Sequence, residues 1–165
     1  MKIAIYPGSF DPITLGHLNL IKRASILFKN VIVLIAESAS KKPLFSLDEK
    51  KVLIEKAVKE LKIKNVEVQT HEGLFIEYFR THPNGVCIRG LRSALDFEHE
   101  YSLECMNKEL ENNFETLFLT TAPEYSFVSS TLIKEIVRFD GDVSKFVPKC
   151  VSQALEEKSN ELQRK

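Results

Sequence analysis

The densest run of chemically capable residues is Tyr6-Pro7-Gly8-Ser9-Phe10-Asp11-Pro12-Ile13-Thr14-Leu15-Gly16-His17. Ser9 offers a hydroxyl, Gly16 lets a ligand come close to the backbone, and His17 falls in the first turn of an expected helix. A helix N-terminus presents free N–H groups and a positive dipole end, which together favour phosphate. The run is neither GxxxxGK[ST] nor GxGxxG, which excludes a P-loop and the dinucleotide fingerprint. Its ordinary structural reading makes Gly8 and Pro12 turn residues, Thr14 a helix cap and His17 a surface residue. Two more groups carry cations. Lys41 and Lys42 close the segment Glu37–Pro43, and Arg89-Gly90-Leu91-Arg92 places two guanidinium forks around a glycine. Such forks match phosphate geometry, or they form ion pairs with the acids between Asp96 and Glu104. A third group, Ser129-Ser130-Thr131, puts hydroxyls at a helix start, where one of them needs only a capping role. No nucleophile stands beside a paired base, and no carboxylate cluster suits general-base work. This set favours stabilising negative charge during a phosphoryl-type transfer, by positioning and electrostatics.

The elements that must position these residues alternate. Short β-rich runs are expected at Lys2–Tyr6, Val31–Ala36, Val66–Thr70, Val86–Arg89 and Thr116–Thr121, with helical patterns at about 14–28, 47–61, 74–81 and 94–110. Ser46 with Glu49 forms a capping box, and Ile54, Ala57, Val58 and Leu61 follow at i, i+3, i+4, i+7, which makes one buried stripe. Strand–helix alternation implies βαβ units with right-handed crossovers. The expected fold is therefore α/β, a Rossmann-like, doubly wound sheet of five parallel strands with helices on both faces. It forms one domain over residues 1–165, with a C-terminal helical extension from about 140. Ligands of such sheets bind outside the carboxyl ends of the strands, at the topological switch point, and all the groups above fall at strand ends.

Composition narrows the partners. The chain has 165 residues, 44% apolar and 28% charged, with 23 basic and 23 acidic side chains. A nucleic-acid-binding surface normally tips that balance. Residues 1–45 hold six basic side chains against two acids, which suggests a localised anion site. No run reaches the ~20 apolar residues of a membrane span. Cys87, Cys105 and Cys150 form no CxxC pair, as expected of reduced thiols in a cytoplasmic protein. His17, His71, His82 and His99 show no metal-ligand spacing, so no metal site is expected.

Taken in order, Gly8-Ser9-Phe10-Asp11-Pro12 with Thr14-x-Gly16-His17, Ser40-Lys41-Lys42-Pro43, Ile88-Arg89-Gly90-Leu91-Arg92 with Asp96-Phe97-Glu98-x-Glu100, and Phe127-Val128-Ser129-Ser130-Thr131 resemble the nucleotidyltransferase superfamily. Within it the sequence is similar to the bacterial phosphopantetheine adenylyltransferases, from about residue 1 to 155. The resemblance implies that ATP and 4′-phosphopantetheine give dephospho-coenzyme A and pyrophosphate, by direct in-line attack of the acceptor phosphate on the α-phosphate. It implies that His17 stabilises the transition state and that Lys41 and Arg89 hold the acceptor phosphate. Ser9, Leu74 and Phe75 would line the acceptor's path. Ser9, Phe10, His17, Gly90, Leu91, Arg92 and Glu100 would bind ATP, with Tyr125, Ser126, Phe127, Val128, Ser129, Ser130 and Thr131 closing over it. Magnesium would accompany the triphosphate, the assembly would be a homohexamer, and coenzyme A is a candidate feedback ligand. Phe75, Tyr125 and Thr131 stand where relatives often carry Met, Trp and Ser. Superfamily members acting on nicotinamide mononucleotide, glycerol 3-phosphate or flavin mononucleotide, or using cytidine triphosphate, are the nearest alternatives. The Arg89–Arg92 and Asp96–Glu100 segments argue against them. A non-catalytic nucleotide-binding module is the other alternative; the presence of His17, Lys41 and Arg89 argues against it.

Overall fold

A computed structural model describes residues 3–36 and 43–163. Lys41 and Lys42 therefore lie outside the described residues. Five strands, β1 (Ile3–Gly8), β2 (Asn30–Ala36), β3 (Val66–His71), β4 (Gly85–Leu91) and β5 (Thr116–Thr120), form one parallel sheet in the order β3-β2-β1-β4-β5. The helices are α1 (Leu15–Leu27), α2 (Leu47–Glu60), α3 (Phe75–Arg80), α4 (Ala94–Leu110), α5 (Ser130–Arg138) and α6 (Lys149–Gln163), with a 3₁₀ turn at Pro123–Tyr125. The chain leaves β1 toward β2 and β3, then returns to place β4 on the other side of β1. The switch point falls between β1 and β4, where the expected site residues end.

β1 and β2 are apolar without alternation because both faces of the sheet are covered. Ala4, Tyr6, Val31, Val33 and Ile35 join a cluster with side chains of α1, α2, α5 and α6. Ile5, Ile32, Leu34 and Cys87 join a second with Ile76, Tyr78 and Phe79 of α3 and with Phe114. The close approach of α1 to β4 depends on Gly90: a Cβ there would stand 2.3 Å from Leu20 Cδ1.

The stripe expected on α2 is shifted. Leu53, Ile54, Ala57 and Val58 are buried, while Leu61 is the helix's C-cap and 38% exposed. The Ser46–Glu49 capping box forms as read. Glu49 also pairs with Lys158 of α6 at 2.8 Å. The C-terminal extension packs into the fold, for Val147, Val151 and Leu155 sit in the larger cluster.

The two ends of α1 are finished differently. Thr14 caps the start locally. At the other end the Asn65 side-chain amide, ahead of β3, donates to the carbonyls of Ser25, Phe28 and Lys29 at 2.9, 3.0 and 3.2 Å. Four orphan carbonyls end every helix, and here a distant residue serves part of that end.

Candidate active site

The carboxyl ends of β1 and β4, the start of α1, the 3₁₀ turn and the start of α5 enclose a cavity of about 290 Å³. Among its walls are Ser9, Phe10, His17, Arg89, Gly90, Arg92, Glu100, Tyr125, Val128, Ser129 and Ser130. Sequence reasoning had drawn these from four separate segments.

His17 is both a capping and a site residue. Its backbone N–H donates to Thr14 Oγ1 at 3.3 Å, and its ring Nδ1 accepts the Thr14 backbone N–H at 3.0 Å, with Thr14 Oγ1 3.1 Å away. An Nδ1 that accepts carries no proton, so the neutral ring holds its proton on Nε2. Burial, reinforced by the Arg92 and Arg89 charges, pushes the imidazole down to about 4. At neutral pH His17 is therefore an uncharged donor at the mouth of a helix dipole. The Phe10 ring packs edge-on against it at 5.2 Å.

The β1–α1 loop is held rigidly. Phe10 is 2% exposed with φ 44°, a left-handed backbone that non-glycine residues rarely adopt. Its ring lies over Gly8, where a Cβ would stand 2.9 Å from Cζ. Phe10 thus turns its ring away from solvent, which leaves its backbone for a ligand. Asp11 is buried and accepts from the backbone N–H groups of Leu44 and Phe45 and from Lys134 Nζ at 2.8 Å. Burial alone would raise its carboxyl, but Lys134 and these amides hold it below the usual range. Ser130 Oγ donates to the Pro12 carbonyl at 2.7 Å, so α5 is tied to the same loop.

Both arginines engage acids of α4. Arg89 donates through Nε and Nη2 to the two oxygens of Glu100, the latter at 2.6 Å, and through Nη1 to the Pro7 carbonyl at 2.9 Å. Burial opposes its charge, yet Glu100 raises its affinity for the proton. Arg92 donates through Nε and Nη2 to Asp96 at 3.0 and 3.2 Å. These arginines stand as ion-pair partners of the 96–104 acids, one of the two alternatives open in the sequence. Among the described residues, the charged groups on the cavity wall are these two arginines and two acids.

Other expected residues stand apart. Leu74 is 63% exposed at the start of α3, and Phe75 packs edge-on against Phe79 and Phe114 at 6.1 and 6.0 Å. Leu91 accepts the Thr121 N–H at 2.7 Å, and Ser126 Oγ donates to Pro123. Phe127 is exposed against Phe146, and Thr131 is exposed. None of these six is on the cavity wall. Of the hydroxyl triplet, Ser129 is the α5 cap. Gly16 lines the cavity, but a Cβ there would meet Tyr125 Cβ at 3.3 Å, so its smallness also seats the 3₁₀ turn. Tyr6, Asp96 and Thr121 line the cavity without having been given a role. Asp96 stands in a motif segment and Tyr6 opens the 6–17 run, but neither residue type at its position announces a contact. Burial pushes the Cys87 thiol up to about 12, which makes it a poor nucleophile.

A family model described as cytidylyltransferase-like matches residues 5–136. A phosphopantetheine adenylyltransferase of Clostridium perfringens is 47% identical over 162 residues, covering 98% of each chain. One from Thermotoga neapolitana is 46% identical over 162 residues, covering 98% of this chain and 99% of its own. The solved structure of a nicotinic acid mononucleotide adenylyltransferase from Plasmodium falciparum, complexed with NaAD, superposes with a TM-score of 0.69 at 17% identity, covering 96% of this chain and 95% of that one. That last likeness speaks for the fold alone. Identity sustained over nearly the whole length goes further: the chain belongs to the phosphopantetheine adenylyltransferase family, within the nucleotidyltransferase superfamily.

Proposed function

We propose that the chain carries out its family's reaction, ATP plus 4′-phosphopantetheine giving dephospho-coenzyme A and pyrophosphate, in the cavity between β1 and β4. The observation that carries the reading is the fixed tautomer of His17. Its Nδ1 is occupied by Thr14, so Nε2–H is the donor left for an oxygen of the α-phosphate as charge builds there. A neutral donor suits this role, because it neither attacks nor needs to exchange a proton with bulk water. The acceptor phosphate attacks the α-phosphorus, the bond to the bridging oxygen breaks, and pyrophosphate leaves; positioning and charge stabilisation do the work.

Arg89 and Lys41 hold the acceptor phosphate in this reading, with Leu74 and Phe75 toward its pantetheine arm. Ser9, the Phe10 backbone, Gly90, Arg92 and the start of α5 meet the nucleotide, and the 125–131 segment closes over it. Magnesium enters as part of the ATP substrate; the two acids on the cavity wall, Asp96 and Glu100, are both engaged by arginines. A homohexamer follows from the family resemblance, supported by exposed Leu95, Tyr101, Met106 and Leu110 on α4. No helix among the described residues is long and apolar enough to cross a membrane. A cytoplasmic location is supported by the unpaired Cys87, Cys105 and Cys150.

The test is pyrophosphate release from ATP with a panel of phosphorylated acceptors, 4′-phosphopantetheine among them. Turnover with 4′-phosphopantetheine is expected, together with a roughly 10²–10³-fold loss in His17→Ala, as for loss of one oxyanion donor. Turnover with another acceptor only would overturn the reading, and near-wild-type His17→Ala would remove the assigned role.

A further inference from the structure

The ring of Tyr6 belongs to the larger apolar cluster and meets the Phe10 ring edge-on at 5.4 Å. The residue is only 6% exposed. A phenylalanine would fill that place as well, so the hydroxyl needs its own account. A buried tyrosine hydroxyl ordinarily finds a hydrogen-bond partner, because leaving it without one is costly. No described residue hydrogen-bonds Tyr6 Oη; what acts on it is burial and the charges of Arg89, Glu100 and Arg92. Nor is the oxygen sealed in. Among the described residues, the side-chain oxygens both shut off from solvent and unpartnered belong to Asn19 and Glu104. Oη therefore opens on the cavity, whose wall Tyr6 lines.

Two landmarks place that oxygen. It stands 3.7 Å from where a Cβ on Gly90 would be, and the Tyr6 ring lies 6.4 Å from the His17 ring. Both landmarks are on the nucleotide side of the proposed reaction. Burial pushes the phenol above its usual range, so at neutral pH Oη keeps its hydrogen. Arg92 and the Nε2–H of His17 also offer hydrogens to this part of the cavity. A ligand that satisfies them together brings acceptor oxygens, as phosphate does. We propose that Tyr6 is a further substrate-binding residue, its Oη donating a hydrogen bond to a phosphate oxygen of the bound nucleotide beside His17. A hydroxyl fixed by the packing of its ring supplies direction without adding charge, and it is in place before the ligand arrives.

This contact rests on ATP being the nucleotide of the proposed reaction, and the experiment separates the two claims. Tyr6→Phe deletes Oη and keeps the ring in its packing. Binding of ATP and of adenosine to the whole chain is measured by calorimetry, with steady-state turnover and melting temperature alongside. Tyr6→Phe is expected to weaken ATP binding roughly 10–100-fold, as for loss of one hydrogen bond to a charged group. Adenosine affinity and the acceptor KM are expected to stay within about twofold. The melting temperature is expected to hold or rise, since the hydroxyl has no partner to lose among the described residues. Unchanged ATP affinity overturns the proposal. So does an equal loss for adenosine, which would put the contact on the ribose or base, or a rise confined to the acceptor KM. A clear fall in melting temperature overturns it too, by showing that Oη serves the fold. A wild-type chain that binds ATP but turns over only another acceptor removes the proposed reaction and leaves this contact standing; one that binds no ATP removes both.

Discussion

His17 caps α1 through Nδ1 and keeps Nε2 for the phosphate contact proposed above, and a single proton decides whether it can do both. Protonation would add a hydrogen to Nδ1, the atom that accepts from Thr14. The first turn of α1 would lose part of its cap just as the ring became a cation. The folded imidazole sits at about 4, below its ordinary 6.5, so between those values the folded chain binds fewer protons than the unfolded one. Stability from the neutral ring is therefore complete above about pH 6.5 and is lost as pH falls through that window toward 4. Urea midpoints should decline from pH 7 to pH 4, and His17→Asn should flatten the decline, since asparagine offers an acceptor oxygen without a titrating group. An equally steep decline in the variant would place the acid sensitivity elsewhere. Asp11, another buried ionisable group at the site, works in the same direction: its carboxyl is held below the usual range, and the bonds to Lys134, Leu44 and Phe45 weaken when it protonates.

At the scale of elements, α1 reaches β4 only because Gly90 has no side chain. Gly90→Ala would drive a methyl into Leu20 and should destabilise the chain by ~1–3 kcal/mol, the usual range for overpacking. Chemical denaturation of Gly90→Ala, Leu20→Ala and the pair should give a combined loss smaller than the summed losses; strict additivity would show that Leu20 is not the obstacle. In sequence, Gly90 stands out only through the family resemblance, as a glycine that meets ATP. Its packing role was not legible, because the partner, Leu20, lies seventy positions away and only the sheet order brings them together. What was legible was local: the Ser46–Glu49 box, the start of α4 at Ala94, and the uninterrupted apolar runs of β1 and β2. The stripe on α2 slipped at Leu61 because the helix ended there. The arginine–acid pairing was readable as one of two alternatives. Spacing along the chain could not choose between them, since the choice depends on α4 lying beside β4. Phe75 shows the opposite limit, an apolar residue whose destination between Phe79 and Phe114 no local pattern announces.

For the whole molecule, equal numbers of acids and bases leave local pairing to decide where charge stands, and among the described residues two arginines face two carboxylates on the cavity wall. Of the six basic side chains of residues 1–45, Lys2, Lys41 and Lys42 lie outside the described residues, and Arg23 donates to the Thr120 carbonyl. The larger organisation is a sheet whose central strand, β1, has neighbours reached by separate crossovers, so the site can close only after both halves have folded onto it. The uneven finishing of α1 bears on the order in which that happens. The cavity end of the helix is capped by residues three positions apart, with the Leu15 N–H also donating to the Phe146 carbonyl, whereas the far end borrows the side chain of Asn65, which arrives with β3. Amide hydrogen exchange should follow this gradient, with the last turn opening more readily than the first. Asn65→Ala should speed exchange at Ser25–Phe28 and leave Leu18–Leu20 as they were. Equal acceleration along the helix would show that α1 opens as a unit. Otherwise the helix breathes from the end away from the chemistry, and its motion is spent where no substrate waits.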